Sequence, residues 1–312
     1  MEVHMNMQEL IGHTPMVKLN HLGVKDGVGI YAKLELWNPG GSIKDRVGTY
    51  MVTDAEKKGR LKPGGTIVEA TAGNTGIGIA FAALNRGYRV LFVVPEKFSL
   101  EKQQVMKALG AEIVHTSREE GMKGAAKKAR ELLETIPGAV AMEQFQNPAN
   151  PLAHYETTGP EIYEQMDGNV DYLVAGAGSG GTFSGIMKYL KEQNSNIQGV
   201  LADPIGSIIG GGSHGDYDIE GIGNDFIADT MDLSLVDQVF KVDDEEAFAT
   251  ARFLAAKEGI LAGSSSGAAL AAALRLAKTI ERGNIVVVLP DRGDRYFSKG
   301  LFEPKKHEHV GV

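Results

Sequence analysis

The 312-residue chain contains no cysteine. That excludes disulfides, thiolate metal sites, cysteine-ligated iron–sulfur clusters and a cysteine nucleophile. Positive charge is also short: 32 Lys and Arg stand against 40 Asp and Glu, a formal net charge of -8. This balance argues against nucleic acid or an anionic membrane as a main partner. No apolar run is long enough to span a bilayer, and the alanine-rich stretch from Gly267 to Ala277 is broken by Arg275. The opening residues Met1-Glu-Val-His4 lack the basic-then-apolar pattern of a secretory signal, so a cytoplasmic location is expected. His307 and His309 sit on a charged tail and read as solvated residues, and no metal site is expected.

What the chain does have is glycine, forty residues of it, clustered rather than scattered. A hydrophobic fraction of 43% and a charged fraction of 23% fit a soluble globular protein. The length points to two domains. Short β-branched runs near 30–35, 66–69, 89–94, 112–115, 139–142, 172–175, 199–202, 238–242 and 285–289 alternate with helical patterns near 45–58, 75–86, 99–109, 121–135, 155–166, 182–193, 244–258 and 266–281. Several strands are continuously apolar, such as Val90-Leu-Phe-Val-Val94 and Ile285-Val-Val-Val-Leu289. Continuous apolar strands belong to parallel sheets covered on both faces, so the pattern predicts an α/β fold. Asn147-Pro-Ala-Asn-Pro151 is a crossing point between domains. Residues 206–223 hold seven glycines and read as a loop over a site.

Four segments carry chemistry. In Asn38-Pro-Gly-Gly-Ser-Ile-Lys-Asp-Arg46 a turn leads into a helix with Lys44 in its first turn. The helix dipole opposes a positive charge there, so this lysine is either solvated or kept neutral. A neutral lysine amine forms Schiff bases with carbonyls. Thr71-Ala-Gly-Asn-Thr-Gly76 follows a strand and opens a helix, a place where backbone N–H groups receive an anion or simply a cap. Gly176-Ala-Gly-Ser-Gly-Gly-Thr182 does the same without any Lys or Arg. Its Gly-x-Gly-x-x-Gly spacing, with Asp203 after the next strand, also fits a dinucleotide loop. That reading leaves Lys44 and the 71–76 loop without a role. In Ala262-Gly-Ser-Ser-Ser-Gly-Ala268, three consecutive serines exceed the need of one helix cap.

In this order and spacing, the Lys44 segment, Thr71–Thr75, Gly178–Thr182 and Ser265 resemble the fold-type II pyridoxal-phosphate enzymes of the cysteine synthase and cystathionine β-synthase family. The resemblance runs from Ile11-Gly-His-Thr-Pro15 to Leu289-Pro-Asp-Arg-Gly293. It implies a tryptophan synthase β-like fold of two domains, each a mostly parallel sheet flanked by helices. Residues 1–43 with 148–312 would form the larger cofactor domain and residues 44–147 the smaller, mobile domain that binds the substrate carboxylate. The implied cofactor is pyridoxal 5′-phosphate, joined to Lys44, which also moves protons. Asn74 would bond the cofactor's ring oxygen. Gly178, Ser179, Gly180, Gly181 and Thr182 would hold its phosphate, and Ser265 would face its ring nitrogen. Thr71, Ala72, Gly73 and Thr75, with Gln144, would grip the substrate carboxylate. A serine opposite the ring nitrogen leaves that nitrogen largely neutral, which suits loss of a β-substituent over racemisation or transamination.

The family's carboxylate loop usually reads Thr-Ser-Gly-Asn-Thr, whereas here position 72 is Ala72. That alanine, together with Asn38-Pro-Gly-Gly-Ser42, resembles the bacterial O-acetylserine-dependent cystathionine β-synthases, and Ile219-Glu-Gly-Ile-Gly-Asn-Asp-Phe226 resembles cystathionine β-synthases more than plain cysteine synthases. The implied reaction takes O-acetylserine and homocysteine to cystathionine and acetate through an aminoacrylate intermediate. Sulfide as acceptor, giving cysteine, and serine as donor are the alternatives. Neither a haem-binding extension nor a C-terminal regulatory module is seen, so no haem is expected. A homodimer is implied by the family. Two readings of other classes are a nucleotide-binding dehydrogenase and a non-catalytic scaffold, the latter opposed by the joint presence of Lys44, Asn74 and Ser265. Glu96, Lys97, Glu101 and Lys102 are expected to form an exposed, charged helix start. Trp37 is expected to pack beside the Lys44 segment.

Overall fold

The computed structural model describes residues 3–96 and 99–303. His307, His309 and Lys97 lie outside the described residues. In chain order the strands are β1 (Met16–Leu19), β2 (Val28–Leu34), β3 (Thr66–Ala70), β4 (Arg89–Pro95), β5 (Glu112–Thr116), β6 (Ala139–Val140), β7 (Tyr172–Gly176), β8 (Gln198–Pro204), β9 (Gln238–Val242) and β10 (Gly283–Leu289). The helices are α1 (Lys44–Lys57), α2 (Asn74–Ala83), α3 (Leu100–Ala108), α4 (Gly121–Thr135), α5 (Ala149–Ala153), α6 (Gly159–Gln165), α7 (Gly181–Gln193), α8 (Asp244–Glu258) and α9 (Ser264–Thr279). Among the described residues, no helix is long and apolar enough to cross a membrane.

The strands form two sheets, ordered β1-β2-β10-β7-β8-β9 and β5-β4-β3-β6. The continuously apolar strands behave as expected of buried parallel strands. Along β10, Ile285, Val287 and Leu289 pack with α8 and α9, while Val286 and Val288 face the cluster built by α6 and α7. In the smaller sheet Val90, Phe92 and Val94 of β4 meet α1 and α2, and Leu91 and Val93 meet α4. The period-two alternation therefore feeds two cores per sheet.

Three elements differ from the sequence pattern. β1 pairs antiparallel with β2, Met16 opposite Lys33, and its Val17 and Lys18 face solvent. An edge strand exposed in this way carries no apolar run to read. The helix expected over 75–86 stops at Ala83, because Leu84 leaves helical geometry at ψ 129° and Asn85 follows in a left-handed conformation at φ 61°. The helix expected from 155 starts earlier and passes through one π-helical turn, His154–Thr158, between α5 and α6. Trp37 is 65% exposed rather than packed.

Two features set the start of α1. The Ile43 amide donates to the Pro290 carbonyl just past β10, at 2.8 Å. Arg46 is buried and paired with Glu35 at 2.8 Å and Glu161 at 2.7 Å, and the fully buried Lys33 joins Glu161 at 2.7 Å. Two cations meet two carboxylates, so burial leaves no unpaired charge. On the other side, α1 crosses α2 at glycine. A Cβ on Gly48 would overlap the Gly78 backbone, and one on Gly78 would overlap the Lys44 carbonyl oxygen. Overpacking of this kind costs about 1–3 kcal/mol. Gly78→Ala should therefore lose about that much stability in urea unfolding and lower turnover by displacing Lys44. A variant of wild-type stability would show that the two helices do not need this contact.

Candidate functional site

A cavity of about 570 Å³ opens where loops leave the C-terminal ends of β3, β7 and β10. Ligands of parallel α/β sheets bind at strand ends of this kind. Ten of the residues singled out by sequence line it: Lys44, Thr71, Ala72, Gly73, Asn74, Thr75, Gln144, Gly178, Ser179 and Ser265. Gly180 and Thr182 line a smaller recess that shares Lys44, Gly178 and Ser179 with it. Gly181 lines neither space; its Cα lies against the Asn150 side chain.

Lys44 is half-buried, and burial pushes its amine down to about 8, with the nearby Asp291 carboxylate opposing the shift. Its amine hydrogen-bonds to no described residue. The first-turn position thus holds a lysine whose neutral form is accessible near neutral pH.

The recess beside it is shaped for an anion. Gly180, at φ 81°, turns the chain into α7, whose first-turn N–H groups have no helical acceptor. A Cβ on Gly178 would press on the Gly221 carbonyl at 2.9 Å, so no side chain can occupy the cradle. Among the described residues, Lys44 is the one cation that lines the recess. From behind, Asn150 Nδ2 donates to Ser179 Oγ at 2.9 Å and to the Gln144 carbonyl at 2.8 Å. His154, fully buried, bonds Thr182 Oγ1 at 3.1 Å and Thr158 Oγ1 at 2.9 Å. Burial and the charges of Lys44 and Arg46 hold its imidazole neutral. A phosphate ester with an aldehyde reaching Lys44 matches this donor set.

The 71–76 loop is gathered by its neighbours. Thr75 Oγ1 donates to Gln144 Oε1 at 2.6 Å. Gln144 follows a strained turn in which Glu143 sits at φ 56°, and Glu69 Oε2 accepts from the Met142 and Glu143 amides at 2.8 and 3.3 Å. Asn74 is held at both ends: its Nδ2 donates to Asp291 Oδ2 at 2.6 Å and its Oδ1 accepts from Arg295 at 2.7 Å. The three serines opening α9 have separate roles. Ser264 Oγ accepts from the Glu220 amide at 3.0 Å, Ser265 faces the cavity, and Ser266 Oγ is buried without a hydrogen-bond partner.

The glycine-rich 206–223 segment does cover the site, with Tyr217, Ile219, Glu220 and Gly221 in the cavity wall. Lys102 corrects an expectation. It is 4% exposed, paired with Glu220 at 2.6 Å and 4.5 Å above the Tyr296 ring. It lies in the polar run Glu101-Lys-Gln-Gln104, which hid its inward turn. Lys299 approaches the same carboxylate at 3.5 Å. Asp203, the acid of the dinucleotide reading, is fully buried and bonds the Gly210 amide at 2.9 Å and Lys241 at 2.7 Å. It is committed to its own loop and not offered to a ribose. Asp291, Arg295, Tyr296, Asn150 and His154 were not singled out as site residues, because their contacts to Asn74, Ser179, Thr182 and Lys102 come from remote parts of the chain.

The chain matches the family model described as "Pyridoxal-phosphate dependent enzyme" over residues 7–291. It is 52% identical to the O-acetylserine dependent cystathionine beta-synthase of Bacillus subtilis (strain 168), covering 97% of this chain and 99% of that one. It is 46% identical to the cysteine synthase of Helicobacter pylori (strain J99), covering 95% and 98%. Among solved structures, an O-acetylserine dependent cystathionine beta-synthase from Helicobacter pylori superposes with a TM-score of 0.92 at 46% identity, over 97% of this chain and 100% of that one.

Burial raises the Glu69 carboxyl to about 7. Between the ordinary value near 4.5 and about 7 the folded state binds the extra proton, so stability falls as pH rises through that window. Glu69→Gln keeps an acceptor for the two amides and removes this penalty. Relative to wild type, it should gain about 1–3 kcal/mol in chemical unfolding at pH 8 and little at pH 5. An equal gain at both pH values would rule out Glu69 as the titrating group.

Proposed function

The chain belongs to the pyridoxal-phosphate-dependent enzymes, among those that replace a β-substituent, and from that premise we propose that it converts O-acetylserine and homocysteine into cystathionine and acetate. The observation that carries the reading is the Lys44 amine, lowered to about 8 and sharing its cavity with an anion cradle and the 71–76 loop.

Bound in this cavity, pyridoxal 5′-phosphate supplies an electron sink that acidifies the substrate Cα–H and lets the Cβ substituent leave. The chain's residues do the rest. Lys44 anchors the cofactor and, when free, takes the Cα proton as general base. Gly178, Ser179, Gly180 and Thr182 would hold the phosphate through backbone amides and hydroxyls, with Gly181 behind them against Asn150, and Asn74 and Ser265 would contact the ring. Thr71, Ala72, Gly73, Thr75 and Gln144 hold the substrate carboxylate. Ala72 offers no hydroxyl, so the backbone amides opening α2 carry more of that anion's charge.

Residues 44–147 act in this reading as the smaller substrate domain, which moves against the cofactor domain of residues 1–43 and 148–312. The strained turn at Glu143 is suited to be its hinge, and the Lys102–Glu220 pair ties α3 to the glycine-rich loop. Glu220, with Lys102 and Lys299, gives the cavity wall both signs of charge. An amino-acid thiol carries an ammonium and a carboxylate that can use them, whereas sulfide carries neither. This favours homocysteine over sulfide as acceptor. The relatives' names include both kinds of enzyme, so cysteine synthase stays the second reading.

With O-acetylserine as donor, homocysteine should give the higher kcat/KM, and Lys44→Ala should abolish turnover with either acceptor. Glu220→Gln should raise the KM for homocysteine about ten-fold and leave that for sulfide unchanged. A higher kcat/KM with sulfide would overturn the acceptor assignment.

We also read the protein as a homodimer. Trp37, Leu261 and Phe297 are 65%, 52% and 58% exposed and share one groove with Val17, Leu34 and Leu36. An apolar patch of this kind marks an association surface. Light scattering should give about twice the 33.3 kDa chain mass, and Trp37→Glu should return it to the chain mass.

A further inference from the structure

Asp291 is buried at the end of β10, while Asn74 opens α2 beside the other sheet, so their hydrogen bond joins the two halves of the molecule. Asp291 Oδ2 accepts from Asn74 Nδ2 and from the Tyr296 hydroxyl. On its other end, Asn74 Oδ1 accepts from Arg295, whose second nitrogen holds the Gly40 carbonyl just ahead of the Lys44 helix. A flipped amide would set N–H groups against the guanidinium and its carbonyl oxygen against the carboxylate. Both contacts would repel, so one orientation survives. In that orientation the second N–H of Asn74 is left for a ligand in the cavity.

We infer that Asp291 is the positioning residue that aims the Asn74 amide at the bound cofactor. The inference rests on the reading that Asn74 contacts the cofactor. The groups facing Asp291 suit this role. Burial pushes its carboxyl up, Lys102, Arg295 and Lys44 oppose that shift, and Tyr296 occupies the same oxygen, so the side chain has little freedom to turn. Its second oxygen is buried without a partner against Gly263, where a Cβ could not be accommodated. The acidic side chain is thus wedged in place rather than solvated.

The test uses the holoenzyme and two readouts that do not depend on turnover: the position of the cofactor's visible absorption band and the dissociation constant of pyridoxal phosphate. Asn74→Ala should move the band and weaken binding about ten-fold, as loss of a charge-assisted hydrogen bond does. Asp291→Ala should reproduce both changes, and the double variant should be no worse than either single one. Asp291→Asn, which keeps an acceptor, should restore the wild-type band. If Asp291→Ala does not fold, Asp291→Leu fills the same space without an acceptor and carries the same expectation. Wild-type band and affinity in the folded Ala or Leu variant, or losses that multiply in the double variant, would overturn the inference while leaving Asn74 as a cofactor contact. An Asn74→Ala holoenzyme indistinguishable from wild type would overturn the reading of Asn74, and the inference with it.

Discussion

The Lys44 carbonyl lies against the backbone of Gly78 with no room between them for a methyl group. Much of the site depends on that contact. It brings the helix that carries the Lys44 amine against the helix that the 71–76 loop opens. A crossing this close needs glycine on both helices, and Gly48 and Gly78 meet that need. The same crossing packs Val47, Met51 and Ile77 into the smaller core, so the site's geometry and the core's density come from one piece of packing.

Electrostatics then act on a position already determined. Behind α1, Lys33, Glu35, Arg46 and Glu161 neutralise one another out of water. Ahead of it, Lys44 is desolvated and, among the described residues, Asp291 is the carboxylate that acts on it. Two residues apart on one helix, Lys44 and Arg46 meet opposite fates. Arg46 has paired carboxylates and stays charged, while Lys44 has a cavity and comes close to losing its proton. The helix orientation that separates these environments is the one the glycine crossing imposes.

The fold was legible where a physical period was strong. Continuous apolar runs at β4 and β10 indicated a parallel sheet, and the glycine loops after β3 and β7 marked helix starts that border one cavity. Legibility failed where a residue's surroundings are built by distant chain. β1 is an exposed edge strand without a pattern of its own. Lys102 sits in a polar run yet turns inward toward Glu220 and Tyr296, which lie more than a hundred residues away in sequence. Asp203 occupied the expected place for a ribose-binding acid, and only its bonds to Gly210 and Lys241 reveal a loop-holding role. Spacing locates backbone devices well; it says little about which side chain completes a distant partner's hydrogen bonding.

Asn150 joins two loops of the cavity wall. One amide nitrogen holds Ser179 Oγ and the carbonyl of Gln144, whose side chain holds Thr75. The 178–182 loop and the turn that carries Gln144 are separate in sequence yet fastened by the same buried amide. Removing that one side chain would loosen both at once.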